Sequence, residues 1–133
     1  MLGYHTLIMA NQNADPTAGL QSLLDLDGTI YEVGGGYWVS MTVGRVPPDG
    51  GRPHGIQYAL SLHSPDGSRV MGYDNAHQPK IRSGPSRKST TPLAFDHIHR
   101  GARTIPYRPK SPGDLLVDFW ADVEAILTKE GVP

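Results

Sequence analysis

Two short runs hold most of the residues in this chain that could do chemistry. One is Tyr73-Asp74-Asn75-Ala76-His77, and the other is Asp96-His97-Ile98-His99-Arg100. Together they carry three of the six histidines, two aspartates, an arginine and a tyrosine. On a strand, His97 and His99 point to one face and are about 6–7 Å apart. That arrangement suits RNA cleavage by attack of the ribose 2′-OH. One imidazole takes the proton while a second group protonates the leaving oxygen, and histidine populates both forms near neutral pH. A cation must then stabilise the charge that builds on phosphorus.

On this reading His97 and His99 are the proton carriers, and Arg100, Tyr73, Asp74 and His77 complete the catalytic pocket. Lys80, Arg82, Arg87 and Lys88 bind phosphate, and Tyr107 is a further substrate contact that could stack on a base. No cofactor or metal is required. Two other uses of the same groups stay open. Asp74, His77, His97 and His99 have the donors of an N/O site for zinc, manganese or nickel. The same side chains could instead make structural hydrogen bonds, and Asp74-Asn75 is a good turn former without any catalysis.

These runs need a frame to bring them together. Ile56, Tyr58, Leu60 and Leu62 alternate with Gln57, Ala59, Ser61 and His63, the signature of a half-buried strand. The turn Ser64-Pro65-Asp66-Gly67 follows, so Arg69 to Asn75 returns antiparallel. Thr29 to Val33 and Tyr37 to Val46 form a hairpin around Gly34-Gly35-Gly36. Leu93 to Arg100 reads as another strand and Thr104 to Arg108 as a short edge. Leu20 to Leu24 fits a helical turn or a strand. The clearest helix covers 111–130: Ser111 caps it and Pro112 fits its first position. Leu116, Phe119, Trp120, Val123, Ile126 and Leu127 form the apolar stripe, and Gly131 ends it. Asp114, Asp118 and Asp122 recur every four residues as a solvated acidic face. The expected fold is α+β: an antiparallel sheet of four to six strands with a C-terminal amphipathic helix on one face. Residues 1–17 are expected to form a flexible segment, and 18–133 a single domain.

Composition narrows the class. Leu, Ile, Val and Phe make up 29 residues, enough for a small core. There is no cysteine, which excludes disulfides and thiol nucleophiles. No apolar run is long enough to span a membrane, and the N-terminus lacks the pattern of a signal peptide, so a cytoplasmic protein is expected. The net charge of −1 hides an asymmetry. Residues 1–44 and 111–133 each carry −4, whereas residues 45–110 carry +7. A basic middle attracts anions. It would equally serve a non-enzymatic module that docks nucleic acid or an acidic partner protein.

The order of the pieces resembles the TumE family of bacterial toxin–antitoxin systems. The matching residues are His54 ahead of the strand with Tyr58, Pro65-Asp66-Gly67, Arg69-Val70 and Tyr73-Asp74-Asn75-Ala76-His77. They continue with Asp96-His97-Ile98-His99-Arg100, Pro106-Tyr107 and Leu115-Leu116-Val117-Asp118-Phe119-Trp120, and span roughly residues 29–128. The long N-terminus and the loop at 78–92 depart from the pattern. The resemblance implies a small cytoplasmic toxin encoded with an antitoxin, with ribonuclease action the usual route for toxins of this size. The expected partners are RNA and a cognate antitoxin protein, with a homodimer allowed and no membrane.

Overall fold

A computed structural model of the chain describes residues 15–76 and 95–133. Six strands follow one another in sequence and in space: β1 (Thr29–Gly34), β2 (Tyr37–Arg45), β3 (Ile56–His63), β4 (Arg69–Asp74), β5 (His97–Arg100) and β6 (Arg103–Pro106). All neighbours are antiparallel, giving one meander in the order β1 to β6. A short helix α1 (Leu20–Leu24) precedes the sheet and the long helix α2 (Pro112–Lys129) follows it. The expected α+β architecture is the observed one. β5 begins at His97, so Phe95 and Asp96 lie just ahead of it.

One face of the sheet carries the core. Val39, Met41 and Val43 of β2, Ile56, Tyr58, Leu60 and Leu62 of β3, and Met71 and Tyr73 of β4 are buried together with Ile98. Helix α2 lays Leu115, Phe119 and Val123 on this layer, and Leu23 of α1 joins them. The centre of the helical stripe is therefore Leu115 rather than Leu116. Trp120 is only half-buried, with its ring edge-on to Phe119 and to Tyr31 of β1. Residues spaced 115, 119, 123 stack one above another on a helix, and only those directly over the sheet can lose all their solvent.

Local signals set the ends of α2. The Ser111 hydroxyl accepts from the Asp114 amide, and Pro112 fills the first turn, where its missing N–H costs nothing. At the far end Gly131, with φ of 74°, lets the Val132 amide bond back to the Leu127 carbonyl. The two helices meet where Gly19 crosses Gly113. A Cβ placed on Gly19 would stand 2.5 Å from the Gly113 Cα, and the Gly113 amide donates to the Ala18 carbonyl. Among the described residues, no helix is long and apolar enough to cross a membrane.

Candidate active site

The chemistry lies on the second face of the sheet, away from the helices. Antiparallel register puts Asp74 opposite His97 and Gly72 opposite His99. Side chains alternate along a strand, so Asp74, His97 and His99 share one face while Tyr73, Ile98 and Arg100 share the other. The two imidazoles and the carboxylate converge. His97 Nε2 is 2.9 Å from His99 Nε2 and 3.2 Å from Asp74 Oδ1, and His99 Nε2 is 3.2 Å from Asp74 Oδ2. The side chain of His97 is 1% exposed, that of Asp74 11% and that of His99 20%, so the cluster is buried at its base and opens at His99.

The chain on either side of these residues is held firmly. His97 Nδ1 lies 2.6 Å from the Phe95 carbonyl, which can only accept, so that ring nitrogen carries the hydrogen and Nε2 faces the cluster. Phe95 is fixed in turn: its amide donates to the Gly51 carbonyl and its ring lies under the Arg52 guanidinium at 4.9 Å. Beyond Asp74, Asn75 is 2% exposed and works as a clasp. Its side chain accepts from the Tyr58 amide at 2.8 Å and donates to the Ile56 carbonyl at 2.9 Å. Arg52 donates to the Asn75 and Ala76 carbonyls. Under β5, the Tyr58 hydroxyl donates to Asp96 at 2.6 Å. Burial raises the Asp96 carboxyl above its usual value, against the pull of that hydrogen bond, and burial together with Asp96 raises the Tyr58 phenol. His54, ahead of β3, lies 3.1 Å from the Pro109 carbonyl through Nε2.

A cation stands beside the cluster that the sequence reading did not select. The ladder between β3 and β4 shifts at Leu62/His63, which pairs Arg69 with His63. A bulge of this kind re-aims a side chain. Arg69 lies over Gly72, 3.3 Å from where a Cβ would stand. Burial first, and then the Arg69 charge, hold the His99 imidazole below its usual pKa, against the opposing pull of Asp74. On the same face His63 stacks on Trp38, with centroids 4.0 Å apart, and bonds the Ser61 hydroxyl. A cleft of about 350 Å³ lies over β2 and β3, lined by Asp27, Thr42, Arg45, Gln57, Ala59 and Ala76 among others, and none of the three cluster residues lines it.

The remaining candidates fall elsewhere. Tyr73, Arg100 and Tyr107 are on the helix side. The Tyr73 hydroxyl and Arg100 both reach Asp122, and the Tyr107 hydroxyl reaches Asp118. These contacts tie β4, β5 and the residue after β6 to α2, and burial raises both phenols. Asp118 and Asp122 are therefore hydrogen-bonded anchors of the sheet, not part of a freely solvated acidic face. Strand alternation already separates Arg100 from His99, and the short strand does not twist enough to reunite them. His77, Lys80, Arg82, Arg87 and Lys88 lie outside the described residues.

Among the described residues, two histidines and an aspartate meet on the side of the sheet opposite the helices. A family model described as Toxin TumE matches residues 16–127, and the chain belongs to the TumE toxin family. It is the toxin component of a toxin–antitoxin system, with an antitoxin as its partner. No curated protein and no solved structure matches it.

Proposed function

We propose that this toxin is an endoribonuclease with its centre at Asp74, His97 and His99. The observation that carries this reading is the convergence of two Nε2 atoms and a carboxylate at the rim of the sheet, beside an exposed arginine. Groups of these types in contact are what activation of an oxygen nucleophile requires. The nucleophile is the ribose 2′-OH. Its proton passes to the cluster, the 2′ oxygen bonds to the adjacent phosphorus to give a 2′,3′-cyclic phosphate, and the bond to the 5′ oxygen breaks as that oxygen takes a proton from water. Arg69 is placed to hold the phosphate and to stabilise its added charge.

The geometry changes how the two histidines work together. A base and an acid that act on opposite sides of a phosphodiester must leave room for it. With 2.9 Å between Nε2 atoms, no atom of a substrate fits between the rings. The pair acts from one side, as a unit with Asp74, and His99 is the member nearest solvent. The cleft over β2 and β3, which reaches Ala59 opposite Asp74 in the ladder, is of a size that takes part of a nucleotide.

The test is cleavage of RNA by the purified toxin, alongside growth arrest on induction in cells. His99→Ala and Asp74→Asn should each lower cleavage by about 10²–10⁴-fold, the usual worth of a placed proton-handling group. Arg69→Ala should lower it while leaving the circular dichroism spectrum unchanged. Full cleavage by a His97→Ala/His99→Ala double variant would remove these residues from the chemistry. Salt-dependent RNA binding with no cleavage by the wild-type chain would make the protein a binding module instead.

A further inference from the structure

We propose that Asp74, His97 and His99 bind one divalent transition-metal ion of the zinc type, held between the two Nε2 atoms and the carboxylate. The inference deepens the reading of this cluster as the catalytic centre. It also stands on an observation of its own, the close spacing of two imidazole nitrogens and a carboxylate around one point.

Three close contacts join the cluster, at 2.9, 3.2 and 3.2 Å. Every atom at their ends (two imidazole nitrogens and two carboxylate oxygens) carries a lone pair. His97 commits its Nδ1 hydrogen to the Phe95 carbonyl, so a neutral His97 turns a bare Nε2 inward. A neutral His99 brings at most one hydrogen to Nε2, which leaves His97 Nε2 against Asp74 Oδ1, lone pair to lone pair, at 3.2 Å. A further proton on His97 relieves that contact and creates another. Either two N–H groups then face each other across 2.9 Å, or a bare His99 Nε2 faces Asp74 Oδ2. With the Asp74 carboxylate ionised, no distribution of one or two protons over the two imidazoles makes all three contacts favourable, and lone-pair opposition is costly where water is excluded.

One cation at the centre makes all three favourable at once. Ligand atoms about 2.0–2.2 Å from a four-coordinate zinc lie roughly 3–3.5 Å from one another, which is the spacing seen here. Two imidazoles and one carboxylate select a transition metal over magnesium or calcium, whose preferred ligands are oxygens. The hydrogen bond from His97 Nδ1 to a backbone carbonyl is the support that metal-ligating histidines use to fix tautomer and ring orientation. Three protein ligands leave coordination positions free on the His99 side, the pattern of catalytic rather than structural zinc. A cation there would polarise the attacking oxygen or a phosphoryl oxygen, and the proton of the 2′-OH would then leave to water rather than to the ligand atoms.

The full-length toxin, stripped with EDTA and dialysed free of it, should be titrated with Zn²⁺ by calorimetry and with Co²⁺ by visible absorption. The wild-type chain should take up one ion that the His99→Ala and Asp74→Asn variants bind at least about 100-fold more weakly. His63→Ala, altered on the same sheet face, should bind as wild type does. Zn²⁺ should also raise the melting temperature of the wild type and not of the two site variants, because an ion that binds only the folded chain stabilises it. Mg²⁺ should do neither. No uptake by the wild-type chain, or uptake equal in wild type and both site variants, overturns the proposal. The readouts separate the two readings. RNA cleavage that persists in the stripped, metal-free toxin keeps the nuclease and removes the ion. A bound ion without RNA cleavage keeps the site and removes the nuclease.

Discussion

Asp74 and His97 face each other across the ladder between β4 and β5, with Oδ1 3.2 Å from Nε2. The two residues are 23 positions apart in the chain, and only the register of a four-residue strand brings them together. Slipping that strand by one residue would turn both histidines to the helix face, away from Asp74. Asp74→Asn keeps the shape and removes the charge. Cleavage should fall about 10²–10⁴-fold, while urea midpoints should move little because the amide still accepts from the Ala76 amide. An unfolding shift as large as that of a core truncation would show that Asp74 holds the fold rather than the chemistry.

Asn75 should behave in the opposite way. Truncation to alanine strands the buried Tyr58 amide and Ile56 carbonyl, and each loss costs about 1–3 kcal/mol. Asn75→Ala is expected to destabilise by about 2–4 kcal/mol in denaturant unfolding, in line with those unmet groups. A change below about 0.5 kcal/mol would mean that water replaces the clasp.

Gly51 bears on the site at one remove. A Cβ there would stand 2.8 Å from the Phe95 ring, too close for any real contact. Gly51→Ala must push Phe95, whose carbonyl orients His97. Stability should drop by about 1–3 kcal/mol, as for overpacking elsewhere. Cleavage measured well below the melting temperature should fall by more than the unfolded fraction explains. Cleavage that tracks the folded fraction would disconnect this loop from His97.

Core packing can be read from two neighbours on α2. Phe119 has no exposure, and Phe119→Ala should cost about 3–5 kcal/mol. Trp120 is half-buried, so Trp120→Ala should cost less, about 1–3 kcal/mol, scaled to the area it hides. Equal losses in chemical denaturation would place Trp120 as deep as Phe119.

The turn between β3 and β4 should leave a mark at low pH. Hydrogen bonds from the Ser64 and Ser68 side chains, and from the Ser68 amide, hold the Asp66 carboxyl at about 2. A depressed carboxyl stabilises the fold above its unfolded pKa of ~3.9, and that stability is lost as pH falls towards the folded value. Asp66→Asn should therefore be less stable than wild type at neutral pH, with the gap closing between about pH 4 and pH 2. A gap that stays constant over that range would show that the turn does not need the ionised form.

The sequence alone determined the frame. Period-two alternation in 56–62, glycine-rich turns, and the Ser111-Pro112 start of α2 are local properties, set by steric and hydrogen-bonding preferences within a few residues. They led directly to an antiparallel sheet of four to six strands with one covering helix, and the meander order came from the structure. His97 and His99 were legible for the same reason, since residues two apart on a strand share a face wherever the strand lies. Tertiary structure decided the rest. The contact of both histidines with Asp74 needs a register that no local pattern encodes. Arg69 shares a face with His99, and its charge acts on that imidazole, only because the ladder shifts at Leu62/His63, and a bulge leaves no composition signal. Asp118 and Asp122 looked solvated by their spacing, but the hydroxyls of Tyr73 on β4 and of Tyr107 just after β6 reach them across the sheet–helix contact. Alternation sets which face a side chain takes. What it meets there depends on pairing across tens of residues, which becomes fixed only when the sheet closes under the helix.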